Sequence, residues 1–264
     1  MPNHVINLVN MKNIAKKDIF CDDNPECIDF NKLVKMPESL DVPSTSLIPT
    51  AIKAYVLYLN QQLRFQQEAF TFIDTMDLID TLLSIPKETL EEYKNDVQDT
   101  IKNTKCISTK SDLSDKVEVD FYTLAEMGRK YLENLFLHGA LSWYGWSRKN
   151  WGTKWNAYDG FIIDDDTIQY LTAWNPAVPV LLELSRQNPM NEIKLAYMSE
   201  DPSCAGRMAF YNGEIIQDDE YKYMSYESIE LGKELNNGYD YATDTYPEDR
   251  ENNPNAFTLI EDYE

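Results

Sequence analysis

The stretch Trp143-Tyr144-Gly145-Trp146-Ser147-Arg148-Lys149-Asn150-Trp151-Gly152-Thr153-Lys154-Trp155-Asn156-Ala157-Tyr158-Asp159 holds four of the chain's five tryptophans, and Trp174 is the fifth. Indoles carry a very large apolar payload. Concentrating the whole supply here means that the segment organises either a core or a site. Its flanks indicate the fold it joins. Upstream, Leu124, Met127, Tyr131, Leu132, Leu135 and Phe136 recur at helical spacing between Phe121 and His138, and Gly139 follows as a terminator. Downstream come a strand over Gln169–Trp174 and a helix over Pro176–Gln187, with Asn175 as its cap and Pro176 at its first position. A strand over Glu192–Met198 follows. A hairpin then joins Arg207–Tyr211 to Glu214–Gln217 through the turn pair Asn212-Gly213.

The N-terminal run His4–Met11 partly alternates apolar and polar residues, as a half-buried strand does. Residues 28–40 read as a short strand or loop ending at Pro37. Without residues 43–115 the order is strand, helix, strand, helix, strand, strand. That order predicts an α+β fold, a ferredoxin-like antiparallel sheet with helices on one face.

Residues 43–115 have a different character. Ala51, Ile52, Val56, Leu57, Leu59 and Leu63 predict one helix, and Met76–Leu83 a short second one. A third runs through Leu90, Tyr93, Val97 and Ile101, with Ser84 as N-cap and Pro86 just inside its start. The polar stretch Thr104–Asp115 reads as a linker. The predicted organisation is a discontinuous ferredoxin-like core (1–42 and 116–217), a helical insertion (43–115) and an acidic C-terminal extension (218–264). Ser225–Leu235 within the extension suits a short helix.

Charge sharpens the picture. The chain carries a formal charge of −21. From Glu214 to the C-terminus there are 15 acidic and 3 basic residues, a net of −12. Such a field repels free nucleic acid and anionic membranes and favours basic partners. Tyrosines interleave with the acids, so the extension can present carboxylates from aromatic anchors, in imitation of phosphates. Tyr239, Asp240, Tyr241, Asp244, Glu248 and Asp249 are the candidate contacts there.

Cys21, Cys27, Cys106 and Cys204 make no C-x-x-C pair, so free thiols are expected. The absence of a signal segment and of a long apolar run predicts a cytoplasmic protein. His4 and His138 are the only histidines. His138 suits a partner for the helix C-terminus. No phosphate-binding glycine loop or hydrolase motif occurs, and no cofactor is implied. Asp164-Asp165-Asp166 reads as a turn. A metal-dependent enzyme using these residues with the acidic loop near Glu200 is the outlying alternative.

Within the tryptophan run, Arg148, Lys149 and Lys154 interleave with Trp151, Trp155 and Asn156. Cations between aromatic faces suit the stacking of nucleic-acid bases, and ferredoxin-like sheets serve as RNA platforms. The competing expectation is that the tryptophans pin a long irregular loop to the sheet, Gly152 allowing a tight turn.

Several stretches together resemble the phage and plasmid proteins that carry a YubB-type ferredoxin-like domain. They are Met1–Val5; Asp29-Phe30-Asn31-Lys32 with Met36-Pro37-Glu38; Trp143–Trp146 with Asn150–Ala157; Thr172–Pro176 with Pro179-Val180 and Leu184-Ser185; and Ala196–Glu200 with Gly206–Gly213. The resemblance implies the fold and a mobile-element origin, and it transfers no catalytic residue. With the charge, it predicts a non-enzymatic accessory protein of bacterial mobile elements. The concrete form is an anti-defence inhibitor, such as an anti-CRISPR, that binds a basic surface of a host nucleic-acid-targeting complex by nucleic-acid mimicry. The second expectation is an RNA or single-strand binding module using Arg148, Lys149, Trp151, Lys154, Trp155 and Asn156, held jointly with a protein partner.

Overall fold

The computed structural model describes residues 3–15, 19–21, 27–65, 81–200 and 203–236. Two compact units emerge: Met1–Lys35 with Ser147–Glu264, and Met36–Trp146.

The second unit is mainly helical. Helix α1 spans Ile48–Phe65, α2 Lys87–Asn103 and α3 Phe121–His138. Helices α1 and α3 cross closely at Gly128, where a Cβ would lie 2.0 Å from the Ala51 carbonyl oxygen. Ala51, Ala54, Val97, Leu124, Met127 and Tyr131 fill the core around them. Helix α3 is as expected at both ends. Asp120 caps it by accepting from Thr123 N at 2.7 Å, and Gly139 closes it in the left-handed region at φ 68°. The sequence assigned α3 to the sheet domain; here it packs on α1, because Leu124 and Met127 find their partners there. The stretch read as a linker also holds a small hairpin, β2 (Cys106–Ser108) with β3 (Lys116–Glu118). Ile107 and Val117 pair across it, and Asp112 turns the chain by accepting from Ser114 N at 3.0 Å. The third predicted helix begins at Lys87. Pro86 stands at its cap, and Ser84 instead donates to the Thr81 carbonyl. Of the predicted second helix, Met76–Asp80 lie outside the described residues, and 81–83 are helical.

The other unit is built on a six-stranded antiparallel sheet. Its strands are β1 (His4–Asn10), β4 (Tyr158–Ile162), β5 (Thr167–Ala173), β6 (Ile193–Ser199), β7 (Ala205–Tyr211) and β8 (Glu214–Tyr221), in the order β4-β5-β1-β6-β7-β8. Both β5 and β6 run antiparallel to β1, which lies between them, and helix α5 (Val178–Gln187) connects them. This is a split βαβ unit. With the β4–β5 hairpin it gives the ferredoxin-like strand order, and β7 and β8 extend it. The α+β class is therefore as expected. In chain order, the entire helical unit is inserted between β1 and β4.

Alternation along β1 sets the layers. Val5, Asn7 and Val9 are buried on one face. There Tyr170 of β5 meets Phe30 edge-on, and Phe30 in turn meets Trp151. Ile6 and Leu8 point the other way, into a cluster with Met198, Ala205, Leu231 and Leu235. Leu231 and Leu235 belong to α6 (Tyr226–Leu235). The helix predicted at Ser225–Leu235 thus exists, capped by Ser225, and it covers the face opposite Phe30 and Trp151. The expectation of helices on one face needs that addition. Described residues 218–236 belong to this folded unit, while 237–264 lie outside the described residues.

Three local expectations are corrected. The tryptophan run does not open as an irregular loop: Trp143–Asn150 is helix α4, which buries Trp146 and Ser147. Helix α5 starts two residues later than expected, with Ala177 at its cap and Pro179 in its first turn. Cys21 and Cys27 form a disulfide rather than free thiols. The chain pairs there as a small antiparallel ladder, Phe20 opposite Ile28 and Cys21 N donating to Cys27 O at 2.6 Å. That brings the two Cα atoms to 5.4 Å, within disulfide reach. Cys106 and Cys204 are unbridged.

Candidate functional site

The run after α4 alternates anchors with surface residues. Trp151 is buried, and its indole N–H donates to the Val34 carbonyl at 2.8 Å. Gly152 adopts φ 81° beside Pro176 and Pro179, where a Cβ would come within 2.7 Å of the Pro179 ring. Thr153 is buried, donating to Ala173 O at 2.8 Å and accepting from Ala173 N at 3.1 Å. Asn156 accepts from Phe30 N at 2.9 Å and donates to the Asp29 carboxylate at 2.7 Å. It therefore ties the run to the Asp29–Lys32 turn. Trp151 and Asn156, expected as binding residues, are structural: their polar groups are used internally.

Between these anchors Lys154 and Trp155 remain at the surface. The Lys154 ammonium lies 4.4 Å from the Trp155 ring centroid and 4.8 Å from that of Trp174. The Arg148 guanidinium lies 5.8 Å from the Trp174 ring. Trp174 takes the left-handed conformation, φ 78°, with its N–H on Asn3 O at 2.9 Å. Trp155 neighbours Tyr158 at 6.4 Å between centroids. The Tyr158 hydroxyl hydrogen-bonds His4 Nδ1, and His4 Nε2 lies 3.7 Å from a Glu200 carboxylate oxygen. Burial pushes the Tyr158 pKa up, and the charges of Glu200 and Asp159 add to that, so it stays a phenol. The result is a ladder of alternating rings and ions across the sheet end where β1 begins and β5 and β6 finish. Lys149 is exposed on α4 beside Arg148. Sequence reasoning gave Arg148, Lys154 and Trp155 but missed Trp174, Tyr158, His4 and Glu200 as their companions.

The opposite chemistry lies along β8. Glu214, Asp218, Asp219 and Glu220 are exposed on this strand, and Glu227, Glu230 and Glu234 are exposed on α6. Glu234 pairs with Arg207 of β7, and Glu230 with Lys233. Among the described residues β8 has a strand neighbour, β7, on one side only. The candidate contacts Tyr239, Asp240, Tyr241, Asp244, Glu248 and Asp249 lie outside the described residues.

The acidic triplet Asp164–Asp166 forms the β4–β5 turn, with Asp166 N donating to Asp164 Oδ1 at 2.8 Å. Met11, just after β1, donates to Asp166 O, whereas Glu200 donates to His4 O at the start of β1. The two acidic groups therefore sit at opposite ends of β1, about 23 Å apart by strand rise. A metal site that joins them is ruled out by this topology. Among the described residues no group of three or more His, Cys, Asp or Glu is placed to hold a metal ion. No helix among them is long and apolar enough to cross a membrane.

Residues 150–247 match the family model described as the ferredoxin-like domain in Api92-like protein. The matched segment runs from the end of α4 through α6. The central strand β1 lies far outside it in sequence, so the sheet is completed by an N-terminal strand. Among solved structures, the crystal structure of protein api92 from Yersinia pseudotuberculosis is similar at 12% identity, covering 86% of this chain and 100% of that one, with a TM-score of 0.33. No curated protein matches the chain.

Proposed function

We propose that the protein is a non-enzymatic binding module whose acidic side, β8 with α6, engages a basic surface on another macromolecule. The observation that carries this is the exposure of all seven acids between Glu214 and Glu234, against only two lysines in that span. A further eight acids against one arginine follow between Asp240 and Glu264. The field attracts a basic partner over distance and repels free nucleic acid. In its concrete form, the partner is a nucleic-acid-targeting complex of a bacterial cell, the carboxylates occupy its phosphate-binding groove, and the protein acts in the host cytoplasm. An origin in a phage or plasmid belongs to the same reading and rests on the motif resemblance.

Affinity purification with the full chain from a bacterial lysate tests it. The expected catch is a basic nucleic-acid-binding complex, released both by added salt and by competing nucleic acid. Retention of that complex in the presence of excess nucleic acid would contradict mimicry.

A second reading is favoured by a specific observation: half-exposed indoles interleaved with Arg148 and Lys154. This surface suits single-stranded RNA, held together with a protein partner. Quenching of tryptophan fluorescence by a short oligonucleotide at low salt, lost in Trp155→Ala, is the expected sign. Unaltered fluorescence at low salt would sink it for the free protein.

A further inference from the structure

Strand β8 combines four features. It is eight residues long, about 27 Å by strand rise. Seven of its residues are exposed. It has a described strand neighbour on one side only, leaving a row of backbone donors and acceptors outward. Its side chains are also segregated by chemistry along its length. Ile215 and Ile216 stand together near the start, 41% and 56% exposed, and Asp218, Asp219 and Glu220 stand together near the end.

Charged side chains on an edge commonly guard against unwanted strand pairing. A guard explains the three acids. It does not explain two adjacent exposed isoleucines on the same strand, which favour pairing. The bulge in the β7–β8 pairing falls between Ala209 and Phe210, opposite this apolar half, so the acidic half keeps regular register. An edge with one apolar half and one acidic half does not refuse every strand; it selects one.

From this we infer that β8 receives an extended segment of a partner protein as a seventh strand. The segment carries three consecutive basic residues followed, one residue later, by two β-branched apolar residues. In the antiparallel sense the basic residues fall opposite Glu220, Asp219 and Asp218, and the apolar pair falls opposite Ile216 and Ile215. Because successive side chains alternate between faces, three basic residues in a row place charge on both sides of the sheet. Opposite-charge and β-branched pairs directly across a strand pair are each favourable. A second copy of this chain does not satisfy the edge. Pairing β8 with itself about a central two-fold sets Glu220 against Ile215 and Asp219 against Ile216, which leaves every acid unpaired. This inference rests on the proposed function, which requires only an acidic side. It adds the backbone pairing and the direction.

The test uses the full chain and three peptides. The first is acetyl-Arg-Lys-Arg-Thr-Val-Val-Thr-amide. The second has the same sequence with alternate backbone amides N-methylated, which keeps the charge and removes the pairing edge. The third has the reversed sequence. Binding is followed by isothermal titration calorimetry and by amide hydrogen exchange of β8. The inference predicts binding of the first peptide, slowed exchange along Ile215–Glu220, and at least tenfold weaker binding of the other two. It also predicts at least tenfold loss with Asp218→Lys/Glu220→Lys. Equal affinity for the first and N-methylated peptides would overturn strand addition while leaving an acidic binding side intact. No binding of the first peptide, with partner capture still abolished by Asp218→Lys/Glu220→Lys, would do the same. If that variant captures the partner unchanged, the acidic-side reading itself fails.

Discussion

Where β1 begins and β5 and β6 end, the sheet presents Arg148, Lys154 and the half-exposed rings of Trp155, Trp174 and Tyr158. Along β8 it presents four carboxylates and two isoleucines. At the first margin the charges are already satisfied by the protein's own rings, and the segment is held by four internal anchors. At the second, Asp218 and Glu220 are exposed on a strand that has a described neighbour on one side only. A net charge of −21 is therefore an average over unlike surfaces. The difference separates a margin tied down by its own hydrogen bonds and ring contacts from one whose acids and backbone edge face outward among the described residues.

The largest test of that contrast is at Trp151. Truncating a buried indole costs about 3–5 kcal/mol. Trp151→Ala should therefore lower the urea midpoint of the sheet unit sharply, whereas Trp155→Ala, four residues on and at the surface, should change it by less than about 1 kcal/mol. Equal losses would mean that both tryptophans belong to one core.

The acidic margin leaves a signature at alkaline pH. Burial pushes the Tyr197 pKa up to about 12, with the Cys204 thiol, Asp218 and Glu220 adding to it. An unfolded tyrosine ionises near 10. Between those values the native state holds the proton that the unfolded state has lost. This contribution is thus fully present below pH 10 and declines as pH rises toward 12. The loss for Tyr197 is on the order of 2 kcal/mol. Asp218→Asn/Glu220→Gln should end the decline at a slightly lower pH and make the total loss slightly smaller, since burial is the main cause. A decline that is unchanged by both Tyr197→Phe and the carboxylate changes would separate Tyr197 from the acidic margin.

Asn156 tests the first margin more gently. Asn156→Ala removes bonds to Phe30 N and Asp29, so a loss of about 1–2 kcal/mol is expected. Tyr170→Phe should be neutral or slightly stabilising, because the buried Tyr170 hydroxyl has no hydrogen-bond partner among the described residues. A clear loss there would reveal a partner, such as a buried water.

Much of this was legible in the chain. The alternation of His4–Asn10 sets which side chains of β1 face each layer. Asn212-Gly213, both with positive φ, forms the turn expected between β7 and β8. Gly139 ends α3 where expected because capping chemistry is local. Strand β4 was not legible: its residues are mostly exposed, it bulges between Tyr158 and Phe161, and Asp159 adopts positive φ, so no alternation marks it. Helix α4 is hidden by residues of weak helical preference, and it forms where Trp146 and Ser147 find burial. The ladder was legible only by halves. Lys154 and Trp155 are neighbours in sequence, but His4, Trp174 and Glu200 join them through the register of three strands, which no local pattern specifies.

The most direct measurement compares partner capture by two variants of the full chain. One is Asp218→Lys/Asp219→Lys/Glu220→Lys at the acidic edge; the other is Lys154→Glu/Trp155→Ala at the ladder. If the acidic edge is the recognition surface, the first loses the basic complex at every salt concentration that the wild type tolerates, and the second retains it. Retention by the first and loss by the second would contradict the account and make the ladder the recognition surface.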